Sequence, residues 1–204
     1  MRWSNSDYEK MAKLVIDIYL DYDIKLFPVD AYDIAERMGF KVSYYSDYPK
    51  EEREAFKKLF KDGTNLPIEG DSKHTRNIII NDEIKSPARK QATIFHEIKH
   101  IVNCDKEGTQ FNEDMATFFS RYMRCPTPYL ICKKIESSDI IENKFEISTQ
   151  MARIAASNVK FRAKKYGYKI FTYEIPLIKQ LLGKEYDERT IEIIDTEEEK
   201  WKLY

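Results

Sequence analysis

The sequence predicts a single α+β domain in which short strands alternate with amphipathic helices. Residues 40–45 alternate in polarity as a half-buried strand does, and residues 76–81 form a short apolar run that ends in turn residues. Along most of the remaining chain, apolar side chains recur with a period near 3.6, which indicates helices. At 204 residues and 42% hydrophobic composition, the chain can bury a core without disulfides or a structural metal.

Capping residues and periodicity predict the other elements. Asp30 is a helix N-cap and Gly39 a helix stop, whereas residues 46–75 read as a polar connection with a surface helix over 51–61. The C-terminal part alternates over residues 170–175 and ends in an acidic patch, Glu197 to Glu199. The predicted longer helices cover residues 5–22, 87–102, 112–124, 129–143 and 148–166, with a shorter one over 177–182.

Charge and composition narrow the class of protein. The 34 basic and 35 acidic side chains give a net charge of -1, which argues against a protein that coats nucleic acid or an anionic membrane. The N-terminus lacks the apolar stretch of an export signal, and no apolar run approaches the length of a membrane span. Three cysteines without C-x-x-C spacing are expected to be reduced, so we expect a cytoplasmic protein.

The segment His96-Glu97-Ile98-Lys99-His100 matches the pattern H-E-x-x-H. Residues four apart on a helix lie on one face, so the imidazoles of His96 and His100 can reach the same metal ion. A catalytic zinc ion takes three protein ligands and a water. Glu97 is displaced around the helix, where its carboxylate can reach that water as a general base without ligating the metal. The motif therefore predicts a zinc site with Glu97 as the catalytic residue.

A third metal ligand is expected downstream of the motif. Glu113 is favoured because it begins an apolar helix, and a carboxylate on a packed helix is better preorganised than one in a loop. Glu107 and Asp114 remain weaker candidates, and Cys104 and Asp105 also lie within reach along the chain. For a second electrophile, His74 or a tyrosine such as Tyr122 stays open.

Several blocks in a fixed order carry a family resemblance. They are Pro28-Val29-Asp30, Ile34-Ala35, Gly39 to Val42, Ile78 to Asn81, Arg89, the H-E-x-x-H motif, Glu113-x-x-Ala116-x-x-Phe119, Cys125-Pro126, Phe145 to Ser148 and Met151-Ala152. Together, over residues 28–160, these blocks resemble the ImmA/IrrE family of metallo-endopeptidases. The chain departs from the family pattern at Lys99, where a small residue is usual, at Thr117, where Asn is frequent, and at Arg124, where the family tends to be aliphatic. Because a cation beside a divalent metal opposes its binding, Lys99 is expected to extend its amine to solvent.

The resemblance implies a minimal zincin-like domain over residues 1–128, with a small sheet, the H-E-x-x-H helix and a glutamate ligand. Residues 129–204 would be a helical region with an acidic tail, packed on the same domain. His96, His100 and Glu113 would hold Zn²⁺, and Glu97 would be the catalytic base. The implied activity is zinc-dependent cleavage of a helix-turn-helix repressor or antitoxin, which derepresses genes, often genes of mobile elements.

Two other classes remain open. A noncatalytic protein-binding module could keep the metallopeptidase fold, and Lys99 is the residue that favours this alternative. A DNA-binding regulator is the second, because residues 153–169 carry a local basic run. Charged residues at helical spacing usually form a solvated face, so direct nucleic-acid binding is not expected.

Overall fold

A computed structural model describes residues 4–71, 73–105 and 108–194, and it is a mixed α and β structure. The helices are α1 (Asn5–Asp21), α2 (Ala31–Arg37), α3 (Lys50–Leu59), α4 (Pro87–Val102), α5 (Gln110–Arg124), α6 (Thr127–Cys132), α7 (Ser138–Phe145), α8 (Thr149–Tyr166) and α9 (Ile175–Leu182). The strands are β1 (Phe40–Tyr44), β2 (Gly63–Pro67), β3 (Arg76–Ile80), β4 (Ile170–Phe171) and β5 (Ile193–Ile194). Within the described residues, no helix is both long enough and apolar enough to cross a membrane. The predicted α+β class is confirmed.

Backbone packing divides the described residues into two compact units. The first contains residues 30–120, and the second contains residues 4–29 together with 121–194. The helix α1 therefore belongs with the C-terminal elements, and the boundary falls between Ser120 and Arg121, inside α5. The division into residues 1–128 and 129–204 describes different segments and stays a prediction. The acidic patch, Glu197 to Glu199, lies outside the described residues.

The first unit is built on a three-stranded sheet of order β1-β3-β2. The central strand β3 pairs parallel with β1 and antiparallel with β2, and its residues Ile78, Ile79 and Ile80 are fully buried. The helix α4 packs on β2 and β3. At the entry to β2, both the Nε and an Nη group of Arg89 donate to the Asp62 carboxylate, at 2.8 and 2.6 Å. This bidentate pair holds the start of β2 against the first turn of α4.

The strand β2 corrects the prediction of a polar connection over residues 46–75. Its sequence, Gly63-Thr64-Asn65-Leu66-Pro67, contains two weak strand formers and a proline, so no strand propensity reveals it. Pairing with β3 supplies the stability that the local sequence lacks, and Pro67 is tolerated because β2 lies at the sheet edge. The predicted surface helix within this connection corresponds to α3.

The second unit has a helical core formed by α6, α7, α8 and α9. Its fully buried side chains include Leu130, Ile141, Phe145 and Val159. The helix predicted over residues 129–143 is in fact two helices, α6 and α7. Lys134 adopts a φ of 52° after α6, and Ser137 caps the start of α7 by accepting from the Ile140 amide, which together separate the two.

Gly63→Ala is expected to lower the free energy of unfolding by about 1–3 kcal/mol. A Cβ atom at position 63 would lie 2.6 Å from Thr93 Cγ2 and 3.0 Å from the Ile79 carbonyl oxygen, so β2 and α4 would have to separate. Urea unfolding measures the effect. Gly108→Ala is the matched control, because its Cβ would meet nothing closer than Glu113 Oε1 at 3.7 Å. Equal stability of the two variants would contradict this account of the β2–α4 contact.

Candidate metal centre

The H-E-x-x-H motif lies on the well-defined helix α4. The Ser86 hydroxyl caps the helix by accepting from the Arg89 amide at 3.3 Å, and Pro87 occupies its first turn. Ile94, Phe95 and Ile98 are fully buried and fix the helix by its apolar face. Local sequence signals and packing therefore agree on the rotation of α4, which determines where the motif points.

The two histidines of the motif face each other from successive turns of α4. His96 Nε2 and His100 Nε2 are 3.1 Å apart, and the ring centroids are 4.9 Å apart. Burial is the largest influence on His96 and lowers its pKa, which favours the neutral imidazole that binds metals.

Glu113 brings the third donor from α5. Its Oε2 lies 3.0 Å from His96 Nε2, and its Oε1 lies 3.5 Å from His100 Nε2. One atom from each of the three residues fits within a mutual distance of 4.8 Å, a group that could hold a metal ion. Within the described residues, it is the one group of three or more histidine, cysteine or carboxylate side chains that meets this distance.

The other candidate ligands lie elsewhere or outside the described residues. Asp114 accepts a bond from Gln110 at 2.8 Å, and Cys104 is exposed in a turn with a φ of 51°. The Asp105 carboxylate is bonded by its neighbours, as described below. Glu107 lies outside the described residues. The structure therefore brings together the three residues that the sequence favoured as ligands.

The Glu97 carboxylate is held by a side chain from the sheet. Glu97 is 8% exposed, and its Oε2 accepts a bond from Asn65 Nδ2 at 2.8 Å. On its other side the Asn65 carbonyl oxygen accepts from Arg76 Nη2. Because a guanidinium only donates, Arg76 fixes the amide orientation so that the NH₂ group faces Glu97. The chain of Arg76, Asn65 and Glu97 thus sets the direction of the carboxylate.

Sequence reasoning missed Asn65 and Arg76. Asn65 lies 32 residues before Glu97, on the strand that the sequence did not reveal. Only the pairing of β2 with β3, which places Asn65 opposite Ile78, brings it over α4. No local pattern in residues 63–67 carries that information.

Lys99 does not extend to solvent, and that expectation is wrong. Its side chain is fully buried, and Nζ donates to Asp105 Oδ2 at 2.5 Å and to the Asn112 carbonyl oxygen at 3.1 Å. Asp105 Oδ2 also accepts from His100 Nδ1 at 2.7 Å, and Asn103 donates to Oδ1 at 2.6 Å. Burial alone would raise the pKa of Asp105, but the bonds from Lys99, Asn103 and His100 lower it below its usual value. The charge of Lys99 is therefore paired inside the protein.

The two named candidates for a second electrophile are engaged in other bonds. His74 lies between two carboxylates, with Nδ1 3.1 Å from Asp71 and Nε2 3.0 Å from Glu36. The Tyr122 hydroxyl, in the second unit, donates to Glu174 at 3.4 Å.

Comparison with known proteins relates part of the chain to a peptidase family. Residues 35–126 match the Peptidase_M78 family model, which is described as the IrrE N-terminal-like domain. The matched segment includes the motif, Glu113 and the Asn65–Glu97 contact. No curated protein matches the chain.

His74→Gln is expected to remove a pH-dependent part of the stability. Glu36 and then Asp71 raise the pKa of His74 in the folded protein, and Lys73 is the other charged group bonded to Glu36. The protonated His74 stabilises the fold fully at pH values below its pKa in the unfolded chain, which is about 6.5. This stabilisation is lost as the pH rises through the higher pKa of His74 in the folded protein. Urea unfolding of both proteins from about pH 5.5 to pH 9 tests this. The difference between them should shrink with increasing pH, whereas a constant difference would contradict it.

Proposed function

We propose that this chain, whose residues 35–126 match the model of the M78 peptidase family and its IrrE N-terminal-like domain, is a zinc-dependent endopeptidase that cleaves a regulatory protein. The family is one of metallopeptidases. The observation that carries the proposal is the convergence of His96, His100 and Glu113, with the Glu97 carboxylate on the same helix. The finer parts, the identity of the metal and of the substrate, rest on donor chemistry and on the family resemblance.

The donor set suits zinc. Two imidazoles and one carboxylate are a known ligand combination of catalytic zinc sites, which leave a further position for water or substrate. Zinc bound there would supply a Lewis acid that polarises a peptide carbonyl and lowers the pKa of a water molecule. His96, His100 and Glu113 would bind the ion through Nε2, Nε2 and a carboxylate oxygen.

Glu97 is suited to move the proton. Its Oε2 is bonded by Asn65, so Oε1 is the oxygen available to accept a proton from the attacking water. The same carboxyl group then returns the proton to the nitrogen of the leaving amine. Asn65 and Arg76 keep the carboxylate in one direction during this transfer, which lowers the reorganisation needed for reaction.

The sheet edge beside Glu97 is suited to bind an extended peptide. Within the described residues β2 pairs with β3 only, so its other side offers unpaired backbone groups. An extended substrate segment can add to such an edge by backbone hydrogen bonds. Because Asn65 of β2 contacts Glu97, a peptide along this edge would pass the general base. Leu66, 39% exposed, would offer an apolar contact to the peptide.

The substrate class comes from the resemblance. A helix-turn-helix repressor or an antitoxin-type regulator, cleaved in the cytoplasm, is the substrate that ImmA/IrrE-type peptidases imply. The near-neutral net charge of -1 agrees with a role in gene regulation that acts through a protein substrate instead of through direct DNA binding.

The basic run over residues 153–169 gives limited support to the DNA-binding alternative. Arg162 is buried, and it forms two hydrogen bonds with the Glu174 carboxylate. Lys169 pairs with Glu192 at 3.3 Å. Arg153, Lys160, Lys164 and Lys165 are exposed, and they also fit the surface of a noncatalytic protein-binding module.

Glu97→Gln is expected to lower peptide cleavage by about 10²- to 10⁴-fold, because an amide cannot accept the proton. Metal content should stay at the wild-type level, since Glu97 is not one of the three converging donors. Glu83→Gln is the matched control, because Glu83 pairs with Lys57 on the surface. Atomic absorption and a cleavage assay give the two measurements. Unchanged cleavage by Glu97→Gln would show that Glu97 is not the base.

Coexpression with the helix-turn-helix regulator encoded by a neighbouring gene tests the substrate. The wild-type protein should produce a discrete fragment that chelators prevent, and Glu97→Gln should leave the regulator intact. If a metal-loaded wild-type protein binds the regulator without cutting it, the noncatalytic module is the correct function.

A further inference from the structure

Lys99 and Asp105 make contacts that the proposed hydrolysis does not use. Both side chains are almost removed from solvent, at 0% and 6% exposure. Burying two charges costs several kcal/mol per ion unless they pair and satisfy their remaining hydrogen bonds. The remaining hydrogen bonds of this pair involve His100 on α4, Asn112 on α5 and Asn103 in the turn after α4. Because these partners adjoin the candidate metal centre, the pair is placed to act on it.

The first contact concerns His100. Asp105 Oδ2 receives bonds from Lys99 Nζ at 2.5 Å and from His100 Nδ1 at 2.7 Å. An ionised carboxylate only accepts, so His100 must carry its proton on Nδ1. The Nε2 lone pair then faces the other donors of the metal centre. A carboxylate in this place orients a histidine ligand and increases its basicity.

The second contact concerns Glu113. Lys99 Nζ also donates to the Asn112 carbonyl oxygen at 3.1 Å, one residue before Glu113. A carbonyl oxygen has two lone pairs, so this bond adds to the helix hydrogen bonding of α5. Lys99, on α4, therefore holds the first turn of α5 in place along α4. This contact also fixes the position from which the Glu113 carboxylate reaches the histidines.

We propose that Lys99 and Asp105 act together as a positioning unit for the metal centre, with Asp105 orienting His100 and Lys99 setting α5 and Glu113. This inference rests on the proposed metal site. It opposes a simpler view in which Lys99 is only a nearby cation that weakens binding of a divalent ion. The two views give opposite signs for the effect of removing the lysine charge on metal affinity.

Zn²⁺ and Co²⁺ affinities of the full chain, measured by competition with a chromophoric chelator, separate the two views. Asp105→Asn should lower affinity by about 10- to 100-fold, as loss of an outer partner of a ligand does. In wild-type protein both Asp105 oxygens accept, from Lys99 and His100 on one and from Asn103 on the other. An amide would place an NH₂ donor against one of these donors.

Lys99→Met should also lower metal affinity. A variant that carries both Lys99→Met and Asp105→Asn should bind metal no more weakly than the weaker of the two single variants, because the pair acts as a unit. Glu174→Gln is the matched control. It breaks the buried Arg162–Glu174 pair of the second unit and should leave the metal affinity of the folded protein unchanged. The absorption spectrum of bound Co²⁺ should change in the Asp105 and Lys99 variants only.

NMR of the imidazole nitrogens in the metal-free protein measures the tautomer of His100. This second test remains valid even if the Lys99→Met variant does not fold. Wild-type His100 should show the Nδ1-protonated form, and Asp105→Asn should mix the two tautomers. Tighter metal binding by Lys99→Met, or unchanged affinity and tautomer in Asp105→Asn, would overturn the positioning role alone. Failure of the wild-type protein to bind either metal would overturn the proposed metal site and this inference together.

Discussion

The approach of His96, His100 and Glu113 to within 4.8 Å is the constraint on which the first unit depends. Lone pairs at this separation repel one another unless a proton or a cation lies between them, so the surroundings of the three side chains must hold them in place. The buried face of α4 fixes the two imidazoles, and the Lys99 bond to Asn112 fixes the start of α5. The sheet contributes Asn65, which directs Glu97. The helices α4 and α5 and the strand β2 therefore each hold a polar group of the candidate metal centre.

The structure resolves an apparent conflict between charge and metal binding. A lysine inside the motif would oppose a divalent ion if its charge were free. The Nζ group lies against Asp105 instead, and the negative carboxylate offsets the positive ammonium within hydrogen-bond distance. A comparable buried pair, Arg162 with Glu174, lies in the second unit, where Glu174 also accepts from the Phe171 amide at 2.8 Å. There it organises a turn, whereas in the first unit the pair adjoins the metal centre.

The parts of the site that the sequence predicts are those set by local geometry. The spacing of His96, Glu97 and His100 needs only a helix, and the capping and apolar face of α4 are visible in the sequence. The sequence also favours Glu113, because it lies in the first turn of a second apolar helix. The β2 strand, Asn65 and Arg76 depend on pairing between distant segments, which leaves no periodic signal in five residues. The Lys99 side chain points toward Asp105, which lies in the loop after α4. No sequence pattern predicts where the side chain of such a loop residue lies.

A crystal of the protein grown with zinc, with anomalous diffraction recorded at the zinc edge, tests the central claim most directly. The account predicts one ion at about 2.0–2.2 Å from His96 Nε2, His100 Nε2 and a Glu113 carboxylate oxygen, with Glu97 outside the coordination shell. An ion bound by other residues, or a site that stays empty at saturating zinc in a protein that still cleaves its substrate, would contradict it.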